Sequence, residues 1–217
     1  MGFARHALLD LDGTLIDPKP GIIGSVQHAL RQMGVEPPPA SELTWAIGPP
    51  LRATFGRLLG EARAEEAVSH YRRFYADGAM YDAEVYHGIP GALSALQAAG
   101  YGLLVVTAKP HIFARPIVER MGLAAHVCAV YGPELDGTHD DKADLMAHAL
   151  RKEGLSPSAC VMVGDRRFDV VAAHANGVRA VGVTWGYGPR AELDEAGADA
   201  LCEAPAALPG AIARLVG

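Results

Sequence analysis

The chain has 217 residues, with 19 Lys and Arg against 25 Asp and Glu and a formal net charge of −6. Half of it is hydrophobic and a fifth charged, too apolar for a disordered chain and long enough for a substantial core. Mild acidity without a basic stripe argues against nucleic acid as the main partner and against an electrostatic grip on an anionic membrane.

The opening MGFARHALLDLDGT has no long apolar stretch before a cleavage site, so it does not read as a secretory signal. Its apolar run Ala7-Leu8-Leu9 predicts a first buried strand, which ends in Asp10-Leu11-Asp12-Gly13-Thr14-Leu15. Two carboxylates two residues apart on an extended chain point the same way, and Gly13 lets the backbone turn sharply. Acids closing an apolar run are costly unless they share a cation or a proton, although a plain turn and helix cap would use the same residue types.

Roughly seventy residues follow without a convincing strand. Helices are predicted over 21–33, 41–47, 51–59 and 62–79, jointed at Pro37-Pro38-Pro39 and Gly48-Pro49-Pro50. An insert directly after the first strand is expected above the C-terminal edge of a sheet, where ligands bind in open α/β folds, and so reads as a lid. Its aromatic string Tyr71, Phe74, Tyr75 and Tyr81 reads as helix packing.

Beyond Tyr86 the rhythm is regular. Apolar runs at 101–107, 127–131, 159–163 and 179–184 alternate with helical patterns at 91–99, 112–121, 142–153 and 168–176. Strand, helix and strand repeated in this way predict a parallel sheet with helices on both faces. Residues 86–108 carry no Asp, Glu, Lys or Arg, but their pattern changes midway, so they read as a helix and a buried strand, not a membrane span. Cys128, Cys160 and Cys202 cannot all pair and form no CxxC; they are expected as buried, reduced thiols of a cytoplasmic protein.

Three more strand ends carry chemistry. Thr107-Ala108-Lys109-Pro110 offers a hydroxyl and backbone N–H groups at a helix start, a natural anion cradle. Asp140-Asp141-Lys142-Ala143-Asp144 opens another helix with a lysine that opposes the dipole, hence one placed for a ligand or for nearby acids. In Gly164-Asp165-Arg166-Arg167-Phe168-Asp169 the two acids are four apart at a helix start and share a side. Capping would explain that pair alone, but not the recurrence of acid pairs on two strand ends. Three or four carboxylates converging on one edge call for a divalent cation, and an all-oxygen set favours Mg²⁺. With Thr and Lys to hold phosphate oxygens, the set suits phosphoryl transfer. His87, His111 and His139 show no metal-ligand spacing.

Taken in order, these residues resemble the four motifs of the haloacid dehalogenase-like hydrolases, over essentially the whole chain. The resemblance implies a Rossmann-like, doubly wound parallel α/β core of residues 1–16 and 86–217, with an all-helical cap of the C1 type at 17–85. Thr107-Ala108-Lys109-Pro110, Gly164-Asp165-Arg166-Arg167 and Trp185-Gly186-Tyr187-Gly188 look most like the phosphoglycolate phosphatase-like branch. It further implies that Asp10 is the nucleophile, forming an aspartyl-phosphate, and that Asp12 is the acid and then the base. Mg²⁺ would be held by the carboxylates of Asp10 and Asp165 and the Asp12 carbonyl, with Asp169 in support. Thr107, the Ala108 N–H and Lys142 would bind the phosphoryl oxygens of a small phosphorylated metabolite, in a monomer or weak homodimer. Arg52, in the Gly-Pro-Pro loop where such caps carry their substrate loop, is expected to read a carboxylate or second phosphate; a solvated arginine is the alternative. A phosphomutase resembling the β-phosphoglucomutases, and a phosphatase for nucleotides or pyrophosphate, share the motifs. A phospho-switch resembling receiver domains would lack the cap, and dinucleotide binding would need a GxGxxG after the first strand.

Overall fold

The computed structural model describes residues 3–216. The chain separates into two compact units, residues 1–17 with 85–217 and residues 18–84. In chain order, β1 (Arg5–Leu9) and β2 (Ile16–Asp17) precede the helices α1 (Lys19–Gln32), α2 (Leu51–Leu59) and α3 (Glu61–Ala76). Then come β3 (Glu84–Val85), α4 (Ile89–Ala98), β4 (Tyr101–Val106), α5 (His111–Arg120), β5 (Ala129–Tyr131) and α6 (Lys142–Glu153). The remainder is β6 (Cys160–Gly164), α7 (Arg167–Ala175), β7 (Arg179–Val183), α8 (Arg190–Glu195), β8 (Ala200–Cys202) and α9 (Leu208–Val216).

Six strands form one parallel sheet in the order β5-β4-β1-β6-β7-β8. Every residue of β4 and β6 is buried, which is why these strands read as continuous apolar runs without alternation. The chain winds outward from β1 through β4 and β5, then resumes on the other side of β1 with β6, β7 and β8. The crevice outside the carboxyl end of β1 is therefore a topological switch point, where open α/β sheets bind ligands. Register brings the strand ends level: Leu9 lies opposite Val105 on one side and Val163 on the other. Asp10 follows Leu9, and its N–H donates to the Val163 carbonyl at 2.9 Å.

The helical unit has its own apolar core. Phe55 is fully buried and meets Tyr71 edge-on at 6.2 Å between ring centroids, while Tyr71 and Tyr75 stack at 5.4 Å. The packing reading thus describes Tyr71 and Tyr75, whereas Phe74 and Tyr81 are exposed, Phe74 lying flat on His28.

Some expectations need correction. Residues 41–47 are not an α-helix but two short 3₁₀ turns, Ala40–Glu42 and Thr44–Ala46. The prolines at 37–39 and 49–50 leave too little uninterrupted chain to repay helix nucleation. The segment without strands contains β2 and β3, two residues each, paired as a minor sheet where the chain leaves and rejoins the first unit. The sequence pattern does not announce the edge strand β8 or the helices α8 and α9, three strand residues being too few to show a period. Cys160 and Cys202 are buried as expected, but Cys128 is exposed. It immediately precedes β5, the edge strand of the sheet among the described residues. Among the described residues no helix is long and apolar enough to cross a membrane, and 86–108 is indeed helix then strand.

Candidate active site

β1 delivers Asp10 to the switch point with only 7% of its surface exposed. Gly13 then turns the chain at φ +78°, and a β-carbon there would collide with the Asp165 carboxylate, so glycine is required for both conformation and closeness. β6 delivers Asp165 and α7 begins just beyond it. Asp165 and Asp169 are each 1% exposed, and together with Asp10 they place one carboxylate oxygen apiece within 4.8 Å of one another. Among the described residues this is the group of carboxylates that could hold a metal ion.

Asp169 serves two purposes at once. Its Oδ2 accepts the Arg166 N–H at 3.0 Å, capping α7, while its Oδ1 faces the Lys142 ammonium. Capping and site-building are therefore not alternatives here. α6 presents Lys142 from its first turn, with Asp141 as N-cap accepting from the Ala143 and Asp144 amides at 2.9 and 3.0 Å. Lys142 also lies 3.0 Å from Asp10 Oδ1. Its position against the dipole is explained: burial alone would lower its pKa, but Asp10 and Asp169 more than offset this and hold the ammonium charged.

Lys109, which sequence reasoning quoted without a role, is 8% exposed and places Nζ 2.8 Å from Asp12 Oδ2. The available signal was its place two residues beyond Thr107, in the same strand-end turn. Burial raises the pKa of Asp12, and Lys109 opposes that rise. Burial, then Asp169 and Asp10, push Asp165 up to about 7. Asp169 is raised by burial and drawn back by Lys142. Four acids, Asp10, Asp12, Asp165 and Asp169, are thus gathered with two lysine ammonium groups. Asp165 Oδ1 is buried without a hydrogen-bond partner. The donor set therefore fits a divalent cation.

Thr107 directly follows β4, 2% exposed, its N–H donating to the Tyr131 carbonyl at 3.0 Å and its Oγ1 accepting the Lys109 N–H at 3.2 Å. Ala108 beside it is exposed. The loop after β7, whose Trp185-Gly186-Tyr187-Gly188 carries part of the family likeness, closes the other flank. The Trp185 indole N–H donates to the Thr14 carbonyl at 3.1 Å and the Tyr187 N–H to Asp165 Oδ2 at 2.7 Å, while the Tyr187 hydroxyl donates to Asp17. Burial and that bond raise the Tyr187 phenol well above its usual range, keeping it a donor. The core unit thus assembles Asp10, Asp12, Lys142, Asp165 and Asp169 with Thr107 and Ala108 at a neighbouring strand end. Arg52 lies in the helical unit, at the start of α2, where its guanidinium pairs with Glu65 on α3.

A parallel α/β sheet with buried acids at its switch point and lysines among them defines a class of phosphoryl-transfer hydrolases. The pattern of the haloacid dehalogenase-like hydrolases matches residues 7–183, and the chain belongs to that family. It is similar to a 5'-nucleotidase of Pseudomonas aeruginosa, 45% identical over 190 residues, covering 87% of this chain and 86% of that one. It is 39% identical to the tyrosine-protein kinase PtkA of Mycobacterium tuberculosis over 87% of this chain, spanning 65% of PtkA. A phosphoglycolate phosphatase of Neisseria meningitidis is 31% identical, over 86% of this chain and 83% of its own length. Among solved structures, a predicted phosphatase from Clostridium acetobutylicum superposes with a TM-score of 0.92 at 34% identity, covering 99% of this chain and all of that one. The chain is a phosphatase of this family.

Proposed function

We propose that the protein is a Mg²⁺-dependent phosphomonoesterase working through an aspartyl-phosphate, with a small acidic ester of the phosphoglycolate class as substrate. The observation that carries the reading is the buried cluster at the end of β1, four carboxylates against two lysines with Asp165 Oδ1 unpartnered. Mg²⁺ would be held by the carboxylates of Asp10 and Asp165 and the Asp12 carbonyl, supported by Asp169. When bound, it supplies the positive charge that lets an anionic nucleophile approach an anionic phosphoryl group.

The steps belong to the chain's own groups. An Asp10 carboxylate oxygen attacks phosphorus as the bond to the leaving oxygen breaks. Asp12, its pKa raised by burial, gives its proton to that oxygen, releasing an alcohol. Water then attacks the phosphorus of the aspartyl-phosphate while Asp12 takes back a proton, freeing Asp10 and inorganic phosphate. Thr107, the Ala108 N–H and Lys142 hold the phosphoryl oxygens throughout. Lys142 also lies 3.0 Å from Asp10 Oδ1, an ion pair at the attacking carboxylate. Arg52 is proposed as the reader of a second acidic group on the substrate, on the strength of its place at the start of α2, directly after the Gly48-Pro49-Pro50 loop. Cytoplasmic residence completes the proposal.

A nucleoside monophosphate is the second substrate reading, favoured by the 45% identity to a 5'-nucleotidase. The test is a screen of phosphomonoesters for released phosphate, covering phosphoglycolate, nucleoside monophosphates, pyrophosphate and sugar phosphates. Exhaustive chelation is expected to abolish turnover and Mg²⁺ to restore it, with Ca²⁺ a poor substitute because of its larger, looser shell. Full turnover in metal-free protein would end the proposal, and glucose 1-phosphate isomerised without phosphate release would make the protein a mutase.

A further inference from the structure

Two lysines enter the cluster, and they divide the acids between them. Lys142 lies against Asp10 and Asp169, while Lys109 lies against Asp12. The Lys109 ion pair is buried, its side chains 5% and 16% exposed, and a buried pair is expensive unless its geometry is well defined. Here the backbone supplies the definition. The Lys109 N–H is held by Thr107 Oγ1 at 3.2 Å. Its carbonyl packs against Gly132, where a β-carbon would strike that oxygen and lie 2.9 Å from the His111 nitrogen. Both ends of the residue are thus clamped, with the ammonium 2.8 Å from Asp12 Oδ2. The other oxygen, Asp12 Oδ1, is buried and has no hydrogen-bond partner.

We propose that Lys109 is a positioning residue: it fixes the Asp12 carboxyl group by Oδ2 and so makes Oδ1 the oxygen that exchanges protons with the leaving group. The inference rests on the proposed function, in which Asp12 is the acid. Its consequence is selective. Departure of an alkoxide depends on protonation, whereas p-nitrophenolate departs with little help. Losing the acid's orientation should therefore be felt in proportion to the basicity of the leaving group. A role in binding phosphate, or in stability alone, would depress both substrate types together.

The experiment measures kcat/KM, which reports steps up to leaving-group departure, for p-nitrophenyl phosphate and for an alkyl phosphomonoester that the wild type turns over. The proteins are wild type, Asp12→Asn, Lys109→Met and Lys109→Arg, with Mg²⁺ saturating and folding checked by circular dichroism. General acid catalysis is typically worth about 10²–10⁴-fold. Lys109→Met is expected to lose at least tenfold more on the alkyl ester than on the aryl ester, chiefly in kcat. Asp12→Asn should show the same asymmetry, and Lys109→Arg should recover much of the alkyl loss. Should Lys109→Met not fold, Lys109→Gln, still able to donate to Oδ2, is expected to show the asymmetry in weaker form. Equal losses on the two substrates, or a loss mainly in KM, would overturn the assignment. So would an unaltered ratio in a folded variant. If Asp12→Asn itself shows no asymmetry, the proposed function has failed; if Asp12→Asn shows it and Lys109→Met does not, the Lys109 inference alone has.

Discussion

The two units treat charge in opposite ways. At the carboxyl ends of β1, β4 and β6, acids and lysines are buried together, whereas in the helical unit the Arg52–Glu65 pair has side chains 70% and 67% exposed. Burying ions costs several kcal/mol each after relaxation, so stability alone does not explain the first arrangement. Low dielectric strengthens every remaining interaction, which is what a phosphoryl-transfer site exploits. The exposed pair is screened and adds little. The helical unit instead derives its stability from aromatic and aliphatic packing around Phe55, Tyr71 and Tyr75.

Substitutions can break that contrast, and the largest effect is expected in the core unit. Asp10→Asn should lower turnover by about 10⁴-fold or more, the scale for removing a nucleophile, with the circular dichroism spectrum unchanged. Near-wild-type activity would refute the role given to Asp10.

Next is the helical unit. Phe55→Ala removes a fully buried ring and should cost about 3–5 kcal/mol in chemical denaturation, whatever its effect on activity. A loss below about 1 kcal/mol would mean that the aromatic cluster is not what holds these helices.

Asp165→Asn should weaken Mg²⁺ binding by at least the roughly 10–100-fold known for outer-shell changes. Titrating Mg²⁺ against thermal unfolding reads this without turnover, since a ligand that binds only the folded state raises the midpoint. Equal midpoint shifts in wild type and variant would place the cation elsewhere.

The smallest effect concerns Arg52. Arg52→Ala is expected to lower kcat/KM roughly tenfold or more for carboxylate-bearing esters, and less for p-nitrophenyl phosphate, as loss of a charge partner should. Thermal stability should not change measurably, because the Glu65 pair is exposed. Equal kinetic losses on both esters would show support of the helical unit instead, and none would leave a solvated arginine.

Much of this was legible in one dimension. Buried parallel strands announce themselves as unbroken apolar runs, and Ala7-Leu8-Leu9, 101–107 and 159–163 did so because both sheet faces are covered. Chemistry follows those runs directly, so Asp10, Asp12, Thr107, Lys142, Asp165 and Asp169 could be picked out by position. β8 and the 3₁₀ turns could not, since three residues carry no period and proline spacing overrode a helical pattern.

The sequence by itself determined the alternation of strands and helices, the placing of acids and lysines at strand ends, and hence the family. Which acid each lysine serves was decided only in three dimensions. Lys109 reaches Asp12 because β4 lies beside β1, and Lys142 reaches Asp169 because α6 and α7 open toward the same crevice. The strap of Trp185 and Tyr187 across Thr14, Asp17 and Asp165 joins residues from opposite ends of the chain. Local pattern reports what a residue is and which way it faces. Pairing at three ångströms depends on strand order and register, which arise from packing the whole sheet.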